Sequence, residues 1–133
     1  MNATSLFLPS PPPAPDARVS VLVFWRCFAA DEFTAERRTR VEAFVVRAAI
    51  ADPRWRLAAS GDAAAAIGIA LSRYSRFPDV AFDVAATAVL LCALRGDPAA
   101  RVVLAAMTRN HRVSERIAAS WCASPLINGR GEG

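Results

Sequence analysis

The fold is decided by residues 79–95, whose sequence is DVAFDVAATAVLLCALR. Between its two ends the stretch has a single charged residue, Asp83, and apolar side chains fall on every face of a helix with 3.6 residues per turn. A helix that is apolar all round is expected to be surrounded by other helices. Asp79 is a suitable N-cap for such a helix. We therefore predict a buried central helix over about 79–95.

Further helices are predicted on both sides of this stretch, because aspartates precede several apolar runs and glycines follow some of them. The predicted helices cover about 16–30, 34–51, 53–59, 62–74, 79–95, 98–109 and 114–123. The expected fold class is all-α, a single-domain bundle of six to seven helices around the central one. The first segment is ambiguous because its apolar residues also alternate as in a half-buried strand. We favour a helix, since a lone strand would have no partner.

The length of 133 residues fits one domain. Five prolines between Pro9 and Pro15 favour extended polyproline structure and cannot join a helical core. We expect residues 1–15 to be a disordered Pro-rich tail, 16–124 to be the helical bundle domain and 125–133 to be a flexible C-terminal tail. With 54% hydrophobic and 21% charged residues, the composition excludes a wholly disordered chain.

The basic residues are 16 arginines and no lysine, and 29 residues are alanine, a usage typical of a GC-rich bacterial or viral genome. The net charge of +4 permits an acidic partner such as nucleic acid. Cys27, Cys92 and Cys122 are widely spaced within apolar runs, which predicts buried thiols in a reducing compartment. No apolar stretch approaches the roughly 20 residues of a transmembrane helix. We therefore expect a cytoplasmic protein, in a bacterial or host cell.

Catalytic chemistry has little support in the sequence. His111 is the only histidine and lies in a polar stretch between two predicted helices. Glu115 follows it at i+4, but Ser114 is placed to start a new helix between them. No glycine-rich phosphate loop occurs. We expect no enzyme activity, no cofactor and no metal.

The apolar content exceeds what one small core readily hides, and the surplus predicts a protein partner or a homo-oligomer. The preferred function is a non-enzymatic helical protein-interaction module, such as a subunit, adaptor or inhibitor. Trp25, Trp55 and Trp121 are the candidate partner-binding residues, because an incompletely buried tryptophan beside arginine is typical of interfaces.

An alternative function is a small nucleic-acid-binding regulator. Residues 102–123 have the outline of a helix-turn-helix, with Arg101, Arg109, Arg112 and Arg116 placed around it. The turn lacks the usual glycine, however, and the second helix offers few side chains that could read bases.

A second alternative comes from residues 57–62, LAASGD. This stretch resembles the LxxxGD centre of the BH3 motif in the Bcl-2 family of helical bundles. The resemblance implies a groove that holds an amphipathic partner helix. The chain departs from the motif at Ser60, where a larger apolar residue is common, and at Pro53, where an apolar anchor is expected. A Ser-Gly helix stop followed by an Asp cap accounts for the same residues.

Overall fold

The computed structural model describes residues 19–74 and 79–122 of the chain. Within these two ranges there are seven α-helices and no strand, so the predicted all-α class is confirmed. The helices are α1 (Phe24–Cys27), α2 (Ala35–Arg47), α3 (Trp55–Ala59), α4 (Ala63–Ser72), α5 (Val80–Leu94), α6 (Pro98–Asn110) and α7 (Glu115–Cys122). Short 3-10 turns precede α1 at Val21–Val23 and follow it at Ala30–Glu32. The tails predicted at 1–15 and 125–133 lie outside the described residues.

Helix α5 is the centre of the bundle, as the sequence predicts. Every residue from Phe82 to Ala93 is buried. Helices α1, α2, α4 and α6 all pack against it, and α7 packs against α6. The apolar residues from Phe82 to Ala93 are therefore enclosed by the rest of the bundle, whereas Val80 in the first turn is exposed.

Three helices begin directly after an aspartate cap, as the aspartates that precede apolar runs in the sequence predict. The carboxylates of Asp62, Asp79 and Asp97 accept hydrogen bonds from amides in the first turns of α4, α5 and α6, at 3.0, 2.8 and 2.8 Å. Asp52 behaves differently, because its carboxylate accepts from the amide and guanidinium of Arg54 and α3 begins only at Trp55. Helices α4, α5 and α6 thus each begin directly after an aspartate cap.

Several arginine side chains stabilise the bundle by donating hydrogen bonds to backbone carbonyls. Two of them close the C-terminal end of α5: Arg38 donates to the carbonyl of Leu94 at 3.1 Å and Arg101 to that of Ala93 at 3.5 Å. Positive charge is favourable there because the last carbonyls carry the negative end of the helix dipole. Three more arginines donate to carbonyls in other parts of the chain: Arg37 to Glu32, Arg40 to Val19 and Arg73 to Ala51.

The first predicted helix, 16–30, is wrong in extent. Its described part is a 3-10 turn followed by the four residues of α1, and the chain becomes extended at Phe28, with ψ of 138°. This break lets the rings of Phe24, Phe28 and Phe33 pack edge to face. Helix α2 also ends earlier than predicted, at Arg47; the backbone is extended at Ala48, and the carbonyl of Ala48 accepts a hydrogen bond from the Trp55 indole at 2.9 Å.

Candidate interaction groove

The three tryptophans expected at an interface lie in the core. The exposed fractions of Trp25, Trp55 and Trp121 are 0%, 7% and 2%. Arginines do lie beside two of them, with Arg26 at 5.6 Å from the Trp25 ring centroid and Arg101 at 5.2 Å from that of Trp121. The expectation of partial exposure is therefore wrong. In a core built largely from alanine, large rings are needed to fill the space between helices.

Three of the four arginines considered for nucleic acid are bound within the protein. Arg101 is partly buried, and desolvation lowers its pKa. Arg109 donates to the Glu115 carboxylate at 3.0 Å, and this hydrogen bond raises the pKa of Arg109. Arg116 forms an ion pair with Glu32 at 3.4 Å. Arg109 and Arg116 are thus paired with carboxylates, and Arg101 donates to the Ala93 carbonyl at 3.5 Å.

Helices α6 and α7 pack together across the turn 111–114, which contains the fourth arginine, Arg112, with φ of 59°. Arg112 is exposed; its amide donates to the Arg109 carbonyl at 3.1 Å, and its guanidinium has no hydrogen bond or ion pair with any residue in the described ranges. The outward residues of α7 are Glu115, Arg116, Ala119 and Cys122. Arg116 is the one cation among them and is held by Glu32, so this face has few groups for reading bases. Nucleic-acid binding stays a prediction.

The BH3-like segment is a helix end and a helix start. Helix α3 ends at Ala59, Gly61 has φ of 107°, and Asp62 caps α4. The six residues therefore form a stop and a cap, which is the second interpretation given above. A continuous helix through Leu57–Asp62, which a BH3 motif would need, is not present.

His111 is enclosed by aromatic rings. Its imidazole lies 5.2 to 5.7 Å from three ring centroids, those of Trp25, Tyr74 and Phe82. Its Nδ1 is 3.0 Å from the Met107 carbonyl. Glu115, its possible partner at i+4, pairs with Arg109 instead. Within 19–74 and 79–122, no group of three or more His, Cys, Asp and Glu residues is arranged to hold a metal.

The three thiols are not all buried, so the expectation made for them is wrong in part. Cys92 is buried in α5, and burial raises its pKa. Cys27 and Cys122 are exposed. Cys27 is the last residue of α1 and Cys122 lies on the outward face of α7.

A groove of about 560 Å³ lies between α2, the first 3-10 turn and the start of α5. We call it the α2 groove. Its lining is Val21, Leu22, Arg40, Ala43, Phe44, Arg47, Ala48, Ala49, Val80 and Val84. Eight of these ten residues are apolar, and Val80 at its edge is 66% exposed. The groove is thus an apolar surface that the described residues leave exposed to solvent.

Helix α2 creates the groove because it has apolar residues over a wide arc. Val41 and Val45 are buried on its inner face. Ala43 and Phe44 lie further round the helix, where Phe44 is half-buried and Ala43 is exposed. The spacing of Phe44 from Val41 and Val45 fits a single apolar stripe on the inner face, so this pattern alone does not reveal the groove. The signal that could have found it is the second set of apolar positions beside the inner stripe.

Two arginines border the apolar surface. Arg40 donates to the Val19 carbonyl at 3.2 Å and lies over the Phe24 ring. Arg47 is the last residue of α2 and is exposed, and its guanidinium has no hydrogen bond or ion pair with the residues that the structure describes. The α2 groove therefore combines apolar walls with a guanidinium that is free to donate.

Among the described helices, none has the length and apolar content needed to span a lipid bilayer. Comparison of the chain with protein-family models, with curated proteins and with solved structures finds no match.

Proposed function

We propose that this protein is a helical protein-interaction module whose α2 groove binds an extended, apolar, proline-containing segment of another protein chain. The observation that carries the proposal is the groove itself, with eight apolar lining residues and Arg47 at its border. Apolar clefts of several hundred Å³ with few polar groups are typical binding sites. The tryptophans have no part in this proposal, since they are buried.

The chemistry of the groove favours an extended segment over a helix. A helix uses its own carbonyls internally, whereas an extended proline-rich segment has free carbonyl acceptors. Arg47 can donate to such a carbonyl, as five other arginines of this chain do. Apolar side chains of the segment would cover Phe44 and Val80. Grooves that bind polyproline helices are lined by aromatic side chains, and Phe44 is the aromatic residue of the α2 groove.

Selection from a displayed library of short random peptides tests the proposal. The expected binders contain apolar residues and proline. Their affinity should fall by about tenfold or more in Ala43→Glu, because bound apolar groups would then bury a carboxylate. Ala43 is exposed, so the substitution does not disturb the core.

Val46→Glu is the matched control. Val46 is on the same helix and 76% exposed, but it does not line the groove. Binding should survive this substitution. The proposal is wrong if the selected peptides bind Ala43→Glu as well as the unchanged protein, or if selection yields no binders.

A further inference from the structure

We infer that the α2 groove receives the N-terminal segment of a second copy of this chain, with Leu6, Phe7 and Leu8 entering the groove. This inference rests on the proposed function and names the partner. The first argument is where the described chain begins. The Val19 carbonyl is held by Arg40, which lines the groove, and Val21 and Leu22 form one of its walls. Residues 1–18 therefore join the bundle at the edge of this groove.

The second argument is the chemical match between the segment and the groove. The stretch from Leu6 to Leu8 is the one run of large apolar residues before Val19. Five of the next seven residues are proline, which lack an amide hydrogen and retain a carbonyl acceptor. Such a segment needs apolar walls and a side-chain donor, and the groove supplies both, with Arg47 as the donor.

The third argument concerns which copy supplies the segment. A polyproline helix rises about 3.1 Å per residue, so the seven residues from Pro9 to Pro15 span roughly 20 Å. In its own copy, this stiff spacer begins only a few residues from the groove wall at Val21. A stiff spacer between a groove and the segment that fills it disfavours the return of that segment to its own groove, here a cleft of about 560 Å³, and favours exchange between copies. The triplet thus meets the groove of a second copy, and reciprocal exchange gives a two-fold symmetric dimer.

The first experiment measures the mass of the full chain in solution by light scattering after size exclusion, over a range of concentrations. We expect a dimer. The triple variant Leu6→Ser, Phe7→Ser, Leu8→Ser should be a monomer, and so should Ala43→Glu. Val46→Glu should remain a dimer. Circular dichroism checks that each variant keeps its helix content.

The decisive step mixes the triple variant with Ala43→Glu. The first retains an intact groove and the second an intact segment, so they should form a mixed dimer with one segment bound, detected by a tag on one chain. Exchange between copies is overturned if the unchanged chain is a monomer at every concentration, or if the dimer survives both sets of substitutions. A synthetic peptide of residues 1–18 should bind the triple variant and lose about tenfold or more in affinity when Ala43→Glu is added.

The two hypotheses fail differently. If library peptides bind in a manner that Ala43→Glu abolishes, but the chain is monomeric and its own peptide does not bind, the groove is a binding site for other chains and the present inference is wrong. If no peptide responds to Ala43→Glu, both are wrong.

Discussion

The indole of Trp25 donates a hydrogen bond to the carboxylate of Asp83 at 3.0 Å, inside the bundle. Asp83 lies in the first turn of α5 and is 7% exposed. Its second carboxylate oxygen is 3.5 Å from the guanidinium of Arg26. This contact joins α1 to the central helix, since the donor and acceptor are 58 residues apart.

The hydrogen bond to Asp83 should contribute measurably to stability. Asp83→Ala should lower the free energy of unfolding by about 2 to 3 kcal/mol, because a buried donor then loses a charged acceptor. Asp83→Asn, which keeps an acceptor, should cost less. Urea denaturation measures both. In a double-mutant cycle, the variant with both Asp83→Ala and Trp25→Phe should lose less unfolding free energy than the sum of the losses in the two single variants. Fully additive losses would show that the contact is not energetically coupled.

The central helix could be predicted from sequence because its apolar residues surround it completely. The α2 groove could not, because it depends on whether the neighbours of Phe44 cover it. Partner contacts by Trp55 were predicted from residue type alone. Its burial depends on the Ala48 carbonyl, which the early end of α2 leaves free for the indole. Local capping residues therefore predicted where several helices begin, whereas the exposure of Trp55 and Phe44 depends on tertiary packing, which the sequence pattern does not show.

Gly68 in α4 makes room for Arg54. A Cβ at position 68 would lie 3.0 Å from Nη1 of Arg54, closer than a normal contact. The Arg54 side chain is fixed by Asp52 and by Ser72, at 2.9 and 3.1 Å. Gly68→Ala should therefore stabilise the protein by less than the roughly 1 kcal/mol typical of a helix interior.

Removal of the Arg54 side chain should restore the full stabilisation expected of Gly68→Ala. In an Arg54→Ala background, Gly68→Ala should raise the free energy of unfolding by about 1 kcal/mol. Denaturant midpoints of the four proteins give both values. Equal gains with and without Arg54 would contradict the steric interpretation.

The three cysteines should differ in reactivity. Cys27 and Cys122 are exposed, while Cys92 is buried and its thiol faces the Gly61 carbonyl at 3.7 Å. Burial raises the pKa of both Cys92 and Cys27, so the expected difference in reactivity comes from access of the reagent to the thiol. Brief treatment with a maleimide under native conditions should therefore add two labels, and treatment in urea should add three. Intact mass spectrometry counts the labels. A third label on the native protein would place Cys92 at the surface.

The stability of the folded protein should depend on pH through the ionisation of Asp52. The hydrogen bond from the Arg54 guanidinium, together with the Arg54 amide, lowers the pKa of Asp52 to about 2 from an ordinary 3.8. A carboxylate whose pKa is lower in the folded state stabilises the fold at pH values above its unfolded pKa, and this stabilisation is lost as the pH falls through the folded pKa.

Asp52→Asn should thus melt at a lower temperature than the unchanged protein near pH 7. The gap should narrow between about pH 4 and pH 2, where the carboxylate becomes protonated. Melting curves followed by circular dichroism at several pH values measure it, and a gap that stayed constant down to about pH 2 would show that the Arg54 contact does not stabilise the ionised form.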